Sequence, residues 1–328
     1  MEKKPLKSQI KSILRWIGWV LLVQFVLINI SASLYAYKLT HFYSNHPEES
    51  STGNGNIFTK SWKLFTGPRY GKSVISDVPA FRYDTVTLET KKGKRIDAWF
   101  GKTDAVTKGT IILFHGISVS KSSLLDEANE FRFGGYQVLM VDFRAHGNSD
   151  GNTTTIGVRE TEEVKLAFDY ISAKGEKNIF LYGSSLGAVA VAKAVSDYKL
   201  QPTGVILEMP FESLQGYLKG RARMLGFPRQ PFAFLTTFWI GMERGFNGFN
   251  HKTTRYAKNI HCPVLLQWGT MDNLIRGEET NRIFNALAST SKKLVIYEGA
   301  EHESFLRKNP LKWRIEVERF LAANVQTF

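Results

Sequence analysis

Ser185 lies within LYGSSLGA, with Gly183 two residues before it and Gly187 two residues after it. Glycines at those spacings let a chain leave a strand and enter a helix in one tight turn. Such a turn lifts the serine hydroxyl above a sheet and aims the following N–H into the same space. The flanks have the required character: NIFLYG is a short apolar run, and LGAVAVAKAVSDY is rich in helix formers. A five-residue pattern of this kind arises often by chance. The strand before it and the helix after it make Ser185 a candidate nucleophile rather than a structural turn of small residues.

A serine hydroxyl is a weak nucleophile, so it needs a base, and the base needs a group that orients it. His302, in GAEHES, follows the apolar run KLVIY on a loop that can carry an imidazole across a sheet edge. The other histidines are worse placed: His41, His46 and His251 fall in a linker or an insertion, His261 just precedes a strand, and His146 follows YQVLMVDF. Asp272, in QWGTMDN, follows a strand and gives the chain order Ser185, Asp272, His302, one of the orders used by serine hydrolases. Glu208 and Glu212 are the alternative acid. Asp142, in VDFRAHGNSDG, closes a different strand and reads as a structural residue that holds the 144–149 loop. A developing oxyanion needs two donors, expected from the N–H of Leu186 and the N–H of Ile117, which follows His115 and Gly116. His115 reads as an organiser of that loop.

The elements that must position these groups are legible as alternating patterns. YDTVTLET and KRIDAWFG alternate polar with apolar around KKGK, as a hairpin does. GTIILFHG, YQVLMVDF, NIFLYG, GVILEMP, CPVLLQWG and KLVIYEG are short apolar runs, and helical stretches separate most of them. That alternation predicts an α/β fold, a mostly parallel sheet with helices on both faces and catalytic groups at the carboxyl ends of the strands. Residues 213–260, rich in Phe, Gly and Arg, are too long for a simple connection and read as a small helical cap. The functional version of that insertion is a lid over the substrate; the plain version is extra covering for the core.

The chain has 328 residues, 43% of them hydrophobic, which suits one large domain with an extension. Its single cysteine, Cys262, excludes an intrachain disulfide and a cysteine zinc cluster. A net charge of +13 would suit an anionic partner, but the basic residues are scattered and no nucleic acid partner is expected. No dinucleotide fingerprint, phosphate-binding loop, HExxH or calcium loop is present, so neither cofactor nor metal is expected.

Residues 1–15 read as a basic cytoplasmic tail, with five basic residues and one acidic. The 22 residues between Arg15 and Lys38 carry no formal charge, enough for one crossing of the bilayer. Residues 16–38 are therefore expected to be a transmembrane signal anchor, with the N-terminus cytoplasmic and the rest exported. Cleavage after the small residues at 31–33, giving a secreted protein, is the alternative; a buried helix of the body is a third. Residues 39–81 read as a linker and strapping segment, and residues 82–328 as the folded domain.

HGISVSK, VDFRAHGNSDG, LYGSSLGA, WGTMDN and GAEHES, in that order, resemble the α/β-hydrolase superfamily over about residues 86–320. Within it the chain looks most like the serine aminopeptidase-like and monoglyceride-lipase-like branch, which includes membrane-anchored members. The resemblance implies an eight-stranded sheet, with Ser185, Asp272 and His302 as the triad and Leu186 and Ile117 as the oxyanion hole. Ala145 departs from the glycine common in relatives' DxRGHGxS, a change expected to alter only loop packing. FESLQGYL identifies a branch weakly and a substrate not at all.

The expected function is a serine hydrolase that cleaves acyl esters of apolar or lipid-like substrates through an acyl-enzyme. Arg221, Arg223 and Arg229 in the cap read either as plain surface or as contacts for an anionic head group. An aminopeptidase or acyl-protein thioesterase uses the same chemistry, and a non-catalytic membrane-tethered scaffold is the alternative of another class. Oligomeric state is not legible.

Overall fold

The computed structural model describes residues 6–43, 57–103 and 106–326. The runs read above become β1 (Asp84–Glu89), β2 (Arg95–Gly101), β3 (Thr110–Phe114), β4 (Gln137–Val141), β5 (Ile179–Ser184), β6 (Gly204–Glu208), β7 (Val264–Gly269) and β8 (Lys292–Tyr297). They form one sheet in the spatial order β8, β7, β6, β5, β3, β4, β2, β1. β1 and β2 are an antiparallel hairpin and β2 runs antiparallel to β4; the remaining neighbours are parallel. The register places Phe114 beside both Val141 and Gly183, and Ser184 beside Glu208. The strands therefore end together, and the loops that carry His115, Asp142, Ser185 and Glu208 leave from one edge.

Helices α1 (Leu6–Leu39) and α2 (Ile57–Thr66) precede the sheet, and α3 (Leu125–Phe133), α4 (Thr161–Ser172) and α5 (Leu186–Tyr198) alternate with its strands. Between β6 and β7 the cap contributes α6 (Leu214–Met224), α7 (Arg229–Arg244) and α8 (Thr253–Ala257). After these come α9 (Gly277–Ala286), α10 (Phe305–Lys308) and α11 (Pro310–Asn324). Alternate residues of each parallel strand serve opposite faces, since side chains along a strand have a period of two. Ile112, Phe114, Val141 and Leu181 meet Val164 of α4 and Val189 of α5, whereas Leu113, Met140, Phe180 and Tyr182 meet Phe131 of α3 and Trp313 of α11. Burial on both faces is why these strands read as unbroken apolar runs.

The N-terminal region adds contacts with the body to the expectation of an anchor followed by a linker and strapping segment. α1 is one continuous helix, and its last part belongs to the body: Ala32, Tyr35, Ala36 and Leu39 are buried. Small residues at 31, 32, 33 and 36 let neighbours come close. Ser31 donates to the Phe65 carbonyl of α2, Ser33 bonds Glu243 of α7 at 3.0 Å, and Lys38 Nζ reaches Thr66 Oγ1 at 2.6 Å. Gly67 is needed for that packing, because a Cβ there would sit 2.5 Å from the Tyr35 ring. The proposed linker, 39–81, also holds structure. Phe42–Tyr43 pairs in parallel with Tyr70–Gly71, and α2 lies between them in the chain. Residues 1–5 of the basic tail and 44–56 of the linker lie outside the described residues.

Burial of a leucine or an aromatic side chain is worth about 1.5–3 kcal/mol each. Deletion of residues 1–28 is therefore expected to leave the melting transition of the body in place. Deletion of residues 1–40 is expected to lower stability by about 3–5 kcal/mol, read from denaturant midpoints of the two purified proteins; equal midpoints would contradict the packing role of Tyr35 and Leu39.

Candidate active site

Ser185 stands between the end of β5 and the first turn of α5, with φ 51° and ψ −111°. That is a strained backbone for a residue with a side chain, of the sort found where a group is held for function. Close packing holds it there. A Cβ on Gly187 would lie 2.2 Å from the Phe114 carbonyl oxygen of β3, and one on Gly183 would lie 2.5 Å from the Gly187 carbonyl carbon. Neither glycine has a positive φ. They are required because backbone approaches backbone, not because they turn the chain, and the unusual dihedral falls on the serine itself. The Ser185 N–H donates to the Glu208 carbonyl at 2.8 Å, tying the turn to β6.

His302, on the loop after β8, places Nε2 2.9 Å from Ser185 Oγ and Nδ1 2.7 Å from Asp272 Oδ2. The other Asp272 oxygen accepts the N–H groups of Leu274 and Ile275, both at 2.8 Å. A carboxylate so placed accepts from Nδ1–H, which leaves the Nε2 lone pair facing the serine hydroxyl. Three residues spread over 117 positions are thus in one hydrogen-bonded line.

The other side of the serine is built on two neutral histidines. His115 Nδ1 donates to the Gly116 carbonyl at 2.6 Å, while Nε2 accepts the Phe143 N–H at 3.1 Å. Because a trans peptide points its N–H opposite its carbonyl, this contact fixes the direction of the Ile117 N–H. A Cβ on Gly116 would lie 3.6 Å from Ser185 Cβ, so this peptide borders the serine. Leu186, first in α5, has an N–H with no acceptor inside its helix. His146 accepts the Ser118 N–H at 3.2 Å and donates to the Arg144 carbonyl at 2.9 Å. Burial pushes His115 down to about 4 and His146 to about 3, so both keep the neutral form these bonds need. From its place in the sequence His146 reads as one of the worse-placed histidines; its signal is RAHG itself, a histidine on a strand-end loop.

Below these loops lies a buried charge cluster, of which only the structural role of Asp142 was legible in the sequence. Lys121 Nζ is 2.5 Å from both Asp97 Oδ2 and Asp142 Oδ2, with its ammonium 4.3 Å from the centre of the Trp99 ring. Asp142 also accepts the N–H groups of Lys121 and Asn148, and so pins the 144–149 loop to the loop after β3. A Cβ on Gly147, where φ is +48°, would strike the Asp142 carboxyl at 2.1 Å. Ala145 has φ 66°, in the left-handed region, so its departure from glycine loads the backbone and does more than alter packing.

The alternative acids are engaged elsewhere. Glu208 accepts from Trp313 Nε1 at 2.7 Å, and Glu212 forms a bidentate pair with Arg282 at 2.9 and 2.7 Å. Cys262 is half-buried just before β7, with its thiol pushed up to about 12 by burial.

The sequence profile described as serine aminopeptidase, S33 matches residues 105–239 and 244–309, more than half of the chain. The chain belongs to this family. Its fold is the α/β-hydrolase fold, and it is a member of a hydrolase superfamily with esterase and lipase relatives. This S33 member is 28% identical over 222 residues to the uncharacterized protein YqkD of Bacillus subtilis, covering 66% of this chain and 72% of that one. It is 25% identical over 173 residues to the lysophosphatidylserine lipase ABHD12 of Xenopus tropicalis, covering 50% of this chain and 42% of the relative. The esterase Pf2001 of Pyrococcus furiosus superposes with a TM-score of 0.65 at 22% identity, over 79% of this chain and all of that one, a likeness of fold.

Burial raises Glu208 to about 8, from 4.5. Between those values the folded S33 body binds more protons than the unfolded chain, so this group costs stability as pH rises through that window. Glu208→Gln keeps an acceptor for Trp313 and removes the titration. Its stability relative to the parent is expected to rise from about pH 5 to pH 8, by up to about 1.4 kcal/mol per unit. Thermal melts of both proteins across that range check it; the buried histidines contribute to both and cancel in the difference.

Proposed function

We propose that this protein is a membrane-anchored serine hydrolase that cleaves acyl esters of apolar or lipid-like substrates, of carboxylesterase or lysophospholipase type. The observation that carries the reading is the single hydrogen-bonded line from Asp272 through His302 to Ser185. His302 Nε2 takes the hydroxyl proton as Ser185 Oγ bonds to the acyl carbon, and Asp272 stabilises the imidazolium that results. The N–H groups of Leu186 and Ile117 receive the oxyanion. His302 returns the proton to the departing alcohol, water then enters by the same route, and the acid is released. The family description and the esterase and lipase relatives support hydrolysis; the Phe-rich cap supports an apolar acyl group. Amide or thioester substrates would follow the same steps.

The anchor has its own support. α1 is the one helix among the described residues that is long and apolar enough to cross a bilayer. Its large apolar side chains from Ile10 to Ile30 face outward, over about 31 Å of helix. The body begins directly after them, without a spacer. On the cap helix that packs against α1, Phe234, Phe238 and Met242 recur every fourth residue and are 50%, 42% and 64% exposed, an apolar stripe suited to rest on the same bilayer. Cleavage after Ser33 would cut a helix that is bonded to the body on both sides, so we read α1 as retained, with residues 1–15 cytoplasmic.

A fluorophosphonate probe should label the full chain, and Ser185→Ala should abolish labelling with an unchanged melting temperature; a labelled Ser185→Ala protein would remove the nucleophile. Asp272→Asn should lower ester turnover by about 10⁴-fold through the wrong imidazole tautomer. A series of esters, thioesters, lysophospholipids and aminoacyl amides then ranks the substrate classes.

In membranes of an expressing host, alkaline washing should leave the full chain in the pellet. Its recovery in the supernatant would refute a spanning anchor.

A further inference from the structure

Arg221, on cap helix α6, is half-buried among tyrosines. Its Nε donates to Tyr35 Oη at 3.4 Å, Nη1 to Tyr217 Oη at 3.2 Å, and Nη2 to Tyr70 Oη. Among the described residues these are its only side-chain partners, and none is a carboxylate. The two buried cations are answered by charge, Lys121 by two aspartates and Arg144 by Glu162 and Glu163, whereas half-buried Arg244 is held, like Arg221, by neutral oxygens, those of Thr40 and Tyr37. Taking a guanidinium out of water without a counter-charge costs several kcal/mol, and a neutral hydroxyl offsets only part of that. A clamp between α1 and the cap would need no charge at all. Guanidinium has five N–H donors and three are engaged here, which leaves one on each terminal nitrogen, the spacing of a fork for two oxygens of one anion.

The place of Arg221 in the fold points the same way. Its neighbour Gly220 lies against the loop that orients the triad acid, where a Cβ would be 2.1 Å from the Leu274 carbonyl oxygen, and Arg223 Nε bonds the Asn273 carbonyl at 2.9 Å. On the opposite side, Tyr70 pairs with Phe42, whose ring lies 4.8 Å from that of His146, the residue that holds the Ser118 N–H. Three residues beyond Tyr70, Ser73 bonds the Val119 carbonyl at 3.1 Å. Arg221 thus lies, on the cap itself, between the segments that border the acid loop and the oxyanion loop.

We propose that Arg221, with the hydroxyls of Tyr35, Tyr70 and Tyr217, forms a subsite for an oxyanion on the substrate. The substrates it selects are acyl esters whose alcohol portion carries a phosphate or carboxylate. This rests on the serine hydrolase reading and narrows it. It also makes the N-terminal helix part of substrate recognition, because Tyr35 belongs to α1.

The test uses the full chain in discs of zwitterionic lipid and reads the rate of fluorophosphonate labelling. Dodecyl phosphate should slow labelling about 10- to 100-fold more effectively than 1-O-dodecylglycerol, the range for hydrogen bonds to a charged partner. Arg221→Gln should erase that difference while still being labelled, and Tyr35→Phe and Tyr217→Phe should each reduce it a few-fold at an unchanged melting temperature. Equal protection by the two lipids in the parent protein, or a preference that survives Arg221→Gln, would overturn the subsite. If Arg221→Gln does not fold, an undiminished preference in Tyr35→Phe and Tyr217→Phe overturns it equally. Inorganic phosphate at the same concentration separates the sources: protection by it alone assigns the fork to a free anion, and protection only by the alkyl ester assigns it to a head group. An unlabelled parent protein would instead overturn the assignment of Ser185, and the subsite with it.

Discussion

The constraint on which this structure turns is the contact between the start of α5 and the end of β3. Gly187 meets the Phe114 carbonyl so closely that no side chain fits between them, and Gly183 meets the Gly187 backbone in the same way. A helix seated this tightly on a sheet leaves the residue at the bend no ordinary conformation, so Ser185 takes a positive φ. Its hydroxyl then stands clear of the sheet edge, where loops from the ends of β3, β4, β7 and β8 meet it. Strand register places those loops at one height. The geometry around Ser185 is a consequence of how the backbone packs before it is a matter of side-chain chemistry.

Around that bend the protein uses neutral hydrogen-bonding groups to set peptides and charged groups to set loops. His115 and His146 each donate from one ring nitrogen and accept with the other, a pattern available only to uncharged imidazole. Burial favours that state. The ammonium of Lys121 and the carboxylates of Asp97 and Asp142 lie one layer beneath, where both carboxylates share the ammonium and Asp142 also accepts the backbone N–H groups of Lys121 and Asn148. A buried pair of this kind adds little net stability over apolar packing but is costly to break, so it favours one arrangement of its loops.

The N-terminal helix does two things. Its outward apolar surface suits a bilayer, and its last turns are core: Tyr35, Ala36 and Leu39 pack in the same cluster as the helices over the sheet. Composition alone reads residues 16–38 as one uniform span, because lipid and protein interior favour the same side chains. Only contacts distinguish them, and here Asn29, Ser31 and Ser33 mark where the helix passes from one surroundings to the other, through bonds to Trp239, Phe65 and Glu243. The same ambiguity hid α2, whose ten residues follow a stretch of turn formers and carry too short a pattern to stand out.

By itself the sequence determined the eight strands, the helices that alternate with them and the chain order of Ser185, Asp272 and His302. Periodicity and strand-end position are local properties, written in runs of five to fifteen residues. Tertiary structure alone decided which groups meet. Glu208 and Glu212 were as acidic and as near a strand end as Asp272, yet Trp313 and Arg282 hold them elsewhere. Lys121 and Arg221 look like surface cations in the sequence and are enclosed by residues up to 186 positions away. Contacts of that range depend on how layers stack and how closely backbones approach, and no window of neighbouring residues encodes them.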